Sequence, residues 1–282
     1  MRPASFPVQI SRNRAPRGLW ALLLALPCLL AGCATLGQRV QQAELAPGAP
    51  SAQEVLVALA DNESKLTNFR AAGSFTITSP ELKATERFSS GMVAFRKPAD
   101  LHVEGRIKLG VKAFELTSKG SEFLIEFPTK RDVDERYYYR LEGEKIESVP
   151  FSVSPSDVAK EMFIPEEWSR ISERHARVID YDSTAQQATL LIGPPRHPRR
   201  RIVVQGPPWV VVKNERLTET GEPLAITLLN DYHVSDGVMF PAKTDVSFPM
   251  QQASMTFDMR NIRINTTLDD ALFRISWRPG KS

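Results

Sequence analysis

Hydrophobic and polar residues follow two different periods along this chain. Between residues 51 and 67 apolar side chains recur at roughly helical spacing, and Ser51 and Glu54 have the S-x-x-E spacing of a capping box. Beyond this segment the period falls to two, so that Phe75 and Ile77, for example, alternate with polar neighbours. The pattern predicts one amphipathic helix, about residues 51 to 67, followed by strands that each have one apolar face.

The period of two continues through the rest of the chain and is interrupted once. Short turns are indicated at Lys119-Gly120 and Phe127-Pro128. A second helix is predicted to begin at Ser154, which can cap it, and Pro155, which suits the first helical position. Strand-like segments then resume at about residues 175–182, 187–193, 200–205, 209–218, 223–232, 238–248 and 253–265.

Together these elements predict a mainly β fold with some α structure, spanning residues 51–282. We expect a strongly curved antiparallel sheet of about 11 to 12 strands, an unclosed half-barrel, with a helical lid over its concave face. A concave apolar sheet with a movable cover is suited to hold acyl chains. The side chains expected to line such an acyl-binding cavity are Phe75, Ile77, Phe95, Leu101, Val103, Ile107, Phe114, Leu116, Phe123 and Ile125.

The first 32 residues have the features of a lipoprotein signal peptide. A basic region precedes an apolar core from Leu19 to Leu30, which is too short to span a bilayer. The core ends in the lipobox Leu30-Ala31-Gly32-Cys33, which predicts removal of residues 1–32 and attachment of diacylglycerol to the Cys33 thiol. The alternatives are an ordinary cleaved signal peptide with an incidental cysteine, or an uncleaved signal anchor.

Residues 33–50 are small, polar and rich in Pro and Gly, and they are predicted to form the acylated Cys33 followed by a flexible tether. The leader carries four of the 36 Lys and Arg residues and none of the 33 Asp and Glu residues. The remaining chain is therefore nearly neutral, which removes a global electrostatic argument for nucleic-acid binding. Cys28 lies in the leader and Cys33 is acylated, so no thiol is left for a disulfide.

Sequence motifs for catalysis or metal binding are missing. The four histidines are widely spaced, and the chain has no H-E-x-x-H pair, nucleophile elbow, P-loop or dinucleotide fingerprint. Asp132, Asp134 and Glu135 lack the ligand spacing and the glycine of a calcium loop, so a solvated hairpin end is the favoured interpretation. We expect no enzymatic activity, no metal and no cofactor beyond the covalent lipid on Cys33.

One local run of positive charge stands out, at Arg196, Arg199, Arg200 and Arg201. It follows Gly193-Pro194-Pro195 and leads into a predicted strand. Such a run is usually a solvated turn. The alternative is a basic patch that faces lipid headgroups, lipopolysaccharide phosphate or an acidic partner.

Several segments, in this order, resemble the LolA/LolB superfamily of lipoprotein carriers in Gram-negative envelopes. The resemblance covers about residues 51 to 265, and its segments are Phe69-Arg-Ala-Ala-Gly-Ser-Phe, Val93-Ala-Phe-Arg-Lys-Pro, Asp100-Leu-His-Val-Glu-Gly-Arg, Ile107-Lys-Leu-Gly-Val-Lys-Ala-Phe-Glu-Leu and Ser156-Asp-Val-Ala-Lys-Glu-Met-Phe. Because the shuttle LolA is soluble and the acceptor LolB is itself a lipoprotein, the lipobox makes the chain closest in character to LolB. The end Leu268-Asp-Asp-Ala-Leu-Phe-Arg departs from this pattern and is more similar to tails of other carrier-like relatives.

The resemblance implies a role for Leu109, Gly110 and Val111, which match a loop that carries an exposed leucine and delivers cargo into the membrane. Lys108 and Lys112 flank this membrane-insertion loop, and cations beside an apolar tip suit an anionic bilayer. The alternative is that these are ordinary apolar residues of a hairpin. The partners implied are acylated lipoprotein or lipid cargo and a soluble LolA-like carrier as donor.

The resulting hypothesis is a monomeric lipoprotein on the periplasmic face of the outer membrane that accepts lipoproteins or related lipids and inserts them into that membrane. Ala34 follows the lipidated cysteine, where an Asp would favour retention in the inner membrane. Two alternatives remain. One is a lipid-sensing or scaffold lipoprotein of the same fold, and the other is an enzyme whose site is assembled from residues distant in sequence.

Overall fold

A computed structural model describes residues 45–80, 85–128, 136–140 and 153–276. Cys33, the signal peptide and most of the predicted tether lie outside the described residues, as do Asp132, Asp134 and Glu135. The described end of the tether, residues 45–50, contains a turn at Pro47 and Gly48.

The described residues form two α-helices, α1 (Ala52–Ser64) and α2 (Pro155–Met162), and thirteen strands. The strands are β1 (Asn68–Thr78), β2 (Glu86–Arg96), β3 (Asp100–Arg106), β4 (Lys112–Lys119), β5 (Glu122–Glu126), β6 (Arg136–Arg140), β7 (Ala176–Asp182), β8 (Gln187–Ile192), β9 (Arg200–Gln205), β10 (Val210–Leu217), β11 (Pro223–Ser235), β12 (Val238–Phe248) and β13 (Ala253–Ile264). Short 3₁₀ turns lie at Lys108–Gly110, Trp168–Arg170, Glu173–His175, Pro249–Gln251 and Asp270–Phe273.

All thirteen strands belong to one antiparallel sheet with the order β6-β5-β4-β3-β2-β1-β13-β12-β11-β10-β9-β8-β7. Strands that are consecutive in sequence pair with each other, apart from β6 and β7, and the pairing of β1 with β13 joins the two halves of the chain. Within the described residues β6 and β7 are the outer strands and do not pair with each other. The predicted fold class, an unclosed antiparallel sheet with helices, is therefore confirmed, and the sheet has one strand more than the predicted upper number.

The first helix begins where the sequence predicts and ends earlier. Ser51 caps it, since its Oγ accepts a hydrogen bond of 3.0 Å from the backbone N–H of Glu54. The helix ends at Ser64 rather than near residue 67, because the Asn265 side chain accepts a hydrogen bond of 2.9 Å from the N–H of Thr67 and draws the chain toward β1. Leu66 is still buried, but it belongs to the turn that follows the helix.

The two helices cover different parts of the sheet. A core cluster under α2 contains the stacked rings of Phe75 and Phe257, whose centroids are 4.1 Å apart at an angle of 7°. A second cluster joins α1 to β8, β9 and β10 and includes the buried side chains of Trp168 and Trp209. Both clusters are made by the inward positions of the alternating strands, as the period of two requires.

The C-terminal segment crosses the opposite face of the sheet, next to β3 and β4. Phe273 is fully buried there, and the Arg96 guanidinium lies 4.6 Å from the centre of its ring. Arg96 also pairs with Asp270 at 2.5 Å, which ties the segment to β2. The alternation of apolar and polar residues that predicts the strands does not indicate this C-terminal segment, because the segment has no regular apolar repeat.

Candidate functional site

An apolar cavity of about 400 Å³ lies between α2 and the sheet. The first half of the sheet contributes six of the side chains that were predicted to line it, which are Ile77, Leu101, Val103, Phe114, Leu116 and Ile125. The helical wall is formed by Val158, Ala159 and Phe163, and the far wall by residues of β12 and β13 such as Phe248 and Met255. Its volume lies within the range of ligand pockets, about 300 to 1,000 Å³.

The remaining predicted lining residues are placed differently. Phe75 lies behind the wall, with its ring centre 6.0 Å from that of Phe114. Phe95 and Phe123 are buried but do not line the cavity. They lie in the same row across the sheet as Leu101, because Phe95 pairs with Leu101, Leu101 with Ser118 of β4, and Ser118 with Phe123. Ile107 is not a lining residue, because it belongs to the turn after β3 and is 39% exposed.

The proposed membrane-insertion loop stands out from the surface. Leu109 is 100% exposed and has a positive φ of 67°, and Gly110 follows with a φ of 76°. Val111 is also exposed. This backbone conformation holds the Leu109 side chain in solvent.

Charged side chains brace the base of this loop. The Arg106 guanidinium donates a hydrogen bond of 2.7 Å from Nε to Oε1 of Glu104 and another of 3.0 Å from Nη1 to the Gly110 carbonyl oxygen. Lys112 pairs with Glu115 at 2.5 Å and lies 3.4 Å from Glu104. Burial opposes ionisation of Glu104, but Arg106 and Lys112 outweigh it and hold the pKa of this carboxyl below its usual value.

The structure separates Arg200 from the other three arginines of the basic run. Arg196 and Arg199 are exposed in the loop between β8 and β9. Arg200 faces the concave side and pairs with Glu166, whereas Arg201 pairs with Glu215 at 3.0 Å. The run is divided because β9 begins at Arg200, and consecutive side chains of a strand point to opposite faces.

The second helix is held to the sheet by ion pairs as well as by its apolar face. Nη1 of Arg216 lies 2.9 Å from Oδ1 of Asp157, and its Nε lies 3.1 Å from Oε1 of Glu161. Burial raises the pKa of Glu161 despite the neighbouring arginines. The helix α2, which covers the apolar cavity, is therefore also attached to β10 through Arg216.

A second cavity of about 460 Å³ lies between α1, the segment after α2 and strands β10 to β12. Most of its lining is apolar, but we call it the polar cavity, because charged and amide side chains also contribute to its wall, including Glu161, Glu166, Arg200, Asn214 and Arg216. No sequence pattern indicates this cavity, since these residues come from α2, the segment after it, β9 and β10. Only the order of the strands brings them together.

Among the described residues, no group of three or more His, Cys, Asp or Glu side chains is arranged to hold a metal ion. Neither α1 nor α2, nor any other helix within the described ranges, has the length and apolar character required to cross a membrane.

No known protein family and no curated protein matches this sequence. Among solved structures, a DUF1329-family protein of Desulfovibrio piger aligns with a TM-score of 0.53 and 13% identity, over 81% of this chain and 99% of that chain. A LolA-superfamily protein of Nitrosomonas europaea has a TM-score of 0.48 and 14% identity, over 80% and 98% of the two chains. A Vibrio parahaemolyticus domain named for outer-membrane lipoprotein sorting has a TM-score of 0.49 and 12% identity, over 79% and 97%. At these identities, the likeness to the first structure shows that this chain shares its fold.

Proposed function

We propose that this protein is a lipid-anchored, non-enzymatic carrier that binds acyl chains and passes lipoproteins or related lipids into the outer membrane. In this proposal Cys33 carries the lipid anchor, and the folded domain works on the periplasmic face of the membrane. The single observation that supports it best is the apolar cavity under α2, whose wall includes six of the predicted residues. The sequence resemblance to LolA/LolB carriers points to the same function.

The energetics of such a cavity fit a carrier. Transfer of apolar surface out of water yields about 25 cal/mol per Å², and each buried methylene contributes about 0.8 kcal/mol. This stabilisation does not depend on the sequence of the cargo, so one cavity can accept many acylated proteins. Because α2 forms one wall, we expect the helix to move outward when a chain enters.

Release into the membrane is assigned to the loop of Leu109, Gly110 and Val111. A fully exposed leucine on a braced loop can enter the acyl region of a bilayer without any unfolding of the domain. Cargo can then pass from the cavity to the membrane by a difference in affinity, with no need for nucleotide hydrolysis. The donor in this scheme is a soluble LolA-like carrier.

The test uses the full chain with Cys33→Ala and a fluorescent acyl probe, followed by transfer of an acylated lipoprotein from a soluble LolA-like carrier. Leu116→Asp places a charge in the cavity wall and should abolish both binding and transfer. Leu228→Asp is the matched control, because Leu228 is an exposed apolar residue of β11 that does not line the cavity. Loss of binding in both variants, or in neither, would contradict the proposal.

A lipid-sensing or scaffold protein of the same fold makes a different prediction in this experiment. It would bind the acyl probe with the same sensitivity to Leu116→Asp, but it would accept no lipoprotein from a competent carrier. Transfer therefore separates the two functions, and acyl binding alone does not.

A further inference from the structure

The C-terminal segment, residues 267–276, is attached to the face of the sheet opposite the cavities at several points. Phe273 is fully buried there, and the Arg96 guanidinium of β2 lies over its ring. The Ser276 hydroxyl donates a hydrogen bond of 3.2 Å to Oε2 of Glu126 on β5. The segment is therefore anchored at both sides of strands β3 and β4, which it crosses.

His102 of β3 lies beneath this segment. Its neighbours Leu101 and Val103 line the apolar cavity, so the His102 side chain points to the opposite face of the sheet. The ring is buried next to the backbone of Leu272, and its Nδ1 lies 3.5 Å from Oε1 of Glu115 on β4. His102 therefore connects the C-terminal segment with a carboxylate of β4.

Four charged side chains, which we call the charged series, continue from this carboxylate to the membrane-insertion loop. Glu115 and Glu104 lie directly opposite each other on β4 and β3, and such like charges destabilise a sheet unless cations compensate them. Lys112 lies 2.5 Å from Glu115 and 3.4 Å from Glu104. Arg106 donates to Glu104 and to the carbonyl of Gly110. An unbroken series of contacts therefore runs from the C-terminal segment to the backbone of the loop.

The positions of these groups depend on one another, because two cations share Glu104. Its Oε1 accepts from Arg106, and its Oε2 faces Lys112, whose other partner is Glu115. Glu104 is buried, so solvent screens these attractions only weakly. Without the Glu115 carboxylate, Lys112 would move onto Glu104 and compete with Arg106. Since Arg106 also holds the Gly110 carbonyl, a change at Glu115 would reach the loop.

We propose that the C-terminal segment positions the membrane-insertion loop, residues 109–111, through His102 and the charged series. This inference rests on the proposed function, which assigns the release of cargo to that loop. His102 and Glu115 are positioning residues, since they act on the loop through Lys112 and Arg106 and line neither of the two cavities. The anchored segment keeps the His102 ring against Glu115, and the loop is thereby held in the conformation that exposes its leucine.

Amide hydrogen exchange of the full chain with Cys33→Ala tests this coupling without lipid. Glu115→Gln keeps the shape of the side chain and removes its charge, and we expect exchange in residues 107–111 to become about three- to tenfold faster. Glu115→Asp, which keeps the carboxylate, should retain most of the protection. Faster exchange confined to the loop separates positioning from a general loss of stability, which would also appear in α1.

Glu215→Gln is the matched control. Glu215 is a buried carboxylate between two cations, with Arg201 at 3.0 Å and Lys213 at 2.7 Å, but it belongs to β10 in the other half of the sheet. Its replacement should leave exchange in residues 107–111 unchanged. Equal acceleration of the loop in Glu115→Gln and Glu215→Gln would overturn the inference, because the loss of any paired carboxylate would then have the same effect.

Phe273→Ala tests whether the coupling begins at the C-terminal segment. It should speed exchange in residues 267–276 and in the loop, but add little in the loop when Glu115→Gln is already present, because both changes act through the charged series. Phe273→Leu is the milder variant if exchange in α1 also becomes faster. Faster exchange in residues 267–276 with an unchanged loop would overturn the inference.

These outcomes are distinct from those that test the proposed function. If the acyl probe fails to bind the Cys33→Ala protein, the carrier function is wrong, whereas the exchange rates of the lipid-free protein stay as they are. If acyl binding and transfer are both found but exchange in the loop is independent of Glu115 and Phe273, only the positioning role is wrong.

Discussion

Arg106 and Gly110 are joined by a hydrogen bond of 3.0 Å from the guanidinium Nη1 to the backbone carbonyl, across the turn that presents Leu109. A second bond across this turn runs from the N–H of Ile107 to the carbonyl of Val111 at 3.0 Å. A non-glycine residue with a φ of 67°, as at Leu109, is held in a conformation that costs about 1 to 2 kcal/mol. The two bonds explain why the loop keeps that conformation although its tip makes no contact with the core.

Arg106→Met should loosen this loop without unfolding the domain. The substitution removes the bonds to Gly110 and Glu104, and we expect faster amide hydrogen exchange in residues 107–111. Since Arg106 is a surface residue, the free energy of unfolding should change little. Arg263→Met, at an exposed position of β13, is the control for the loss of an arginine. Unchanged exchange at Gly110 would show that the backbone alone holds the loop.

Met250 is expected to be a second point of membrane contact. It is 66% exposed in the turn between β12 and β13, and the ladder places this turn at the same end of the sheet as the β3–β4 turn. Met250→Asp should lower binding of the Cys33→Ala protein to phospholipid vesicles about tenfold, because the apolar contact is lost.

Val234 provides the matched control for Met250. It is 70% exposed, but it lies near the β11–β12 turn, at the opposite end of the sheet. Val234→Asp should therefore leave vesicle binding unchanged in a co-sedimentation assay. Equal losses in the two variants would mean that the protein has no preferred end toward the membrane.

Arg216 is expected to keep α2 in place. Arg216→Leu leaves the Glu161 carboxylate, whose side chain is 5% exposed, without its ion pair, which should lower the free energy of unfolding by about 3 kcal/mol. Combining it with Glu161→Leu removes the orphaned charge, so the double variant should be more stable than Arg216→Leu alone. Denaturant titration measures all three values. A double variant whose loss equals the sum of the two single losses would argue against coupling between these residues.

His102 should make stability depend on pH. It belongs to β3 and is buried next to Leu272 of the C-terminal segment, and burial lowers its pKa although Glu115 and Glu104 favour the charged form and Lys112 opposes it. The unfolded chain then binds the proton more readily than the folded one, so stability is complete above the usual value of 6.5 and falls as the pH drops below it.

The test of His102 is the slope of unfolding free energy between about pH 5 and 6.5. His102→Gln should flatten this slope, because glutamine has no proton to bind in that range. His233→Gln, at an exposed position of β11, is the control for the replacement of a histidine by glutamine. An unchanged slope in His102→Gln would assign the pH dependence to other groups.

The strands could be predicted from the sequence because each has a buried and an open face. The predicted segments 200–205 and 238–248 have the observed bounds, and the others differ by one to three residues. Alternation defines a face, but it does not say which part of that face a helix will cover. For this reason Phe95 and Phe123 were placed on the correct side of the sheet and yet do not line the cavity.

The polar cavity and the division of the basic run could not be predicted, for related reasons. Both depend on the order of strands and on the residue at which a strand begins. A shift of one residue in the start of β9 would exchange the faces of Arg200 and Arg201. The joining of α2 to β10 through Arg216 brings together residues about 60 positions apart, and no local pattern encodes it.

The two outer strands of the described sheet, β6 and β7, remain unpaired with each other. A closed barrel has a diameter fixed by its number of strands and their stagger, so its interior widens only when a ladder breaks. Here a small change of twist at each ladder can move the outer strands apart while every backbone hydrogen bond persists. The width of the concave face is therefore adjustable without the loss of any strand pairing.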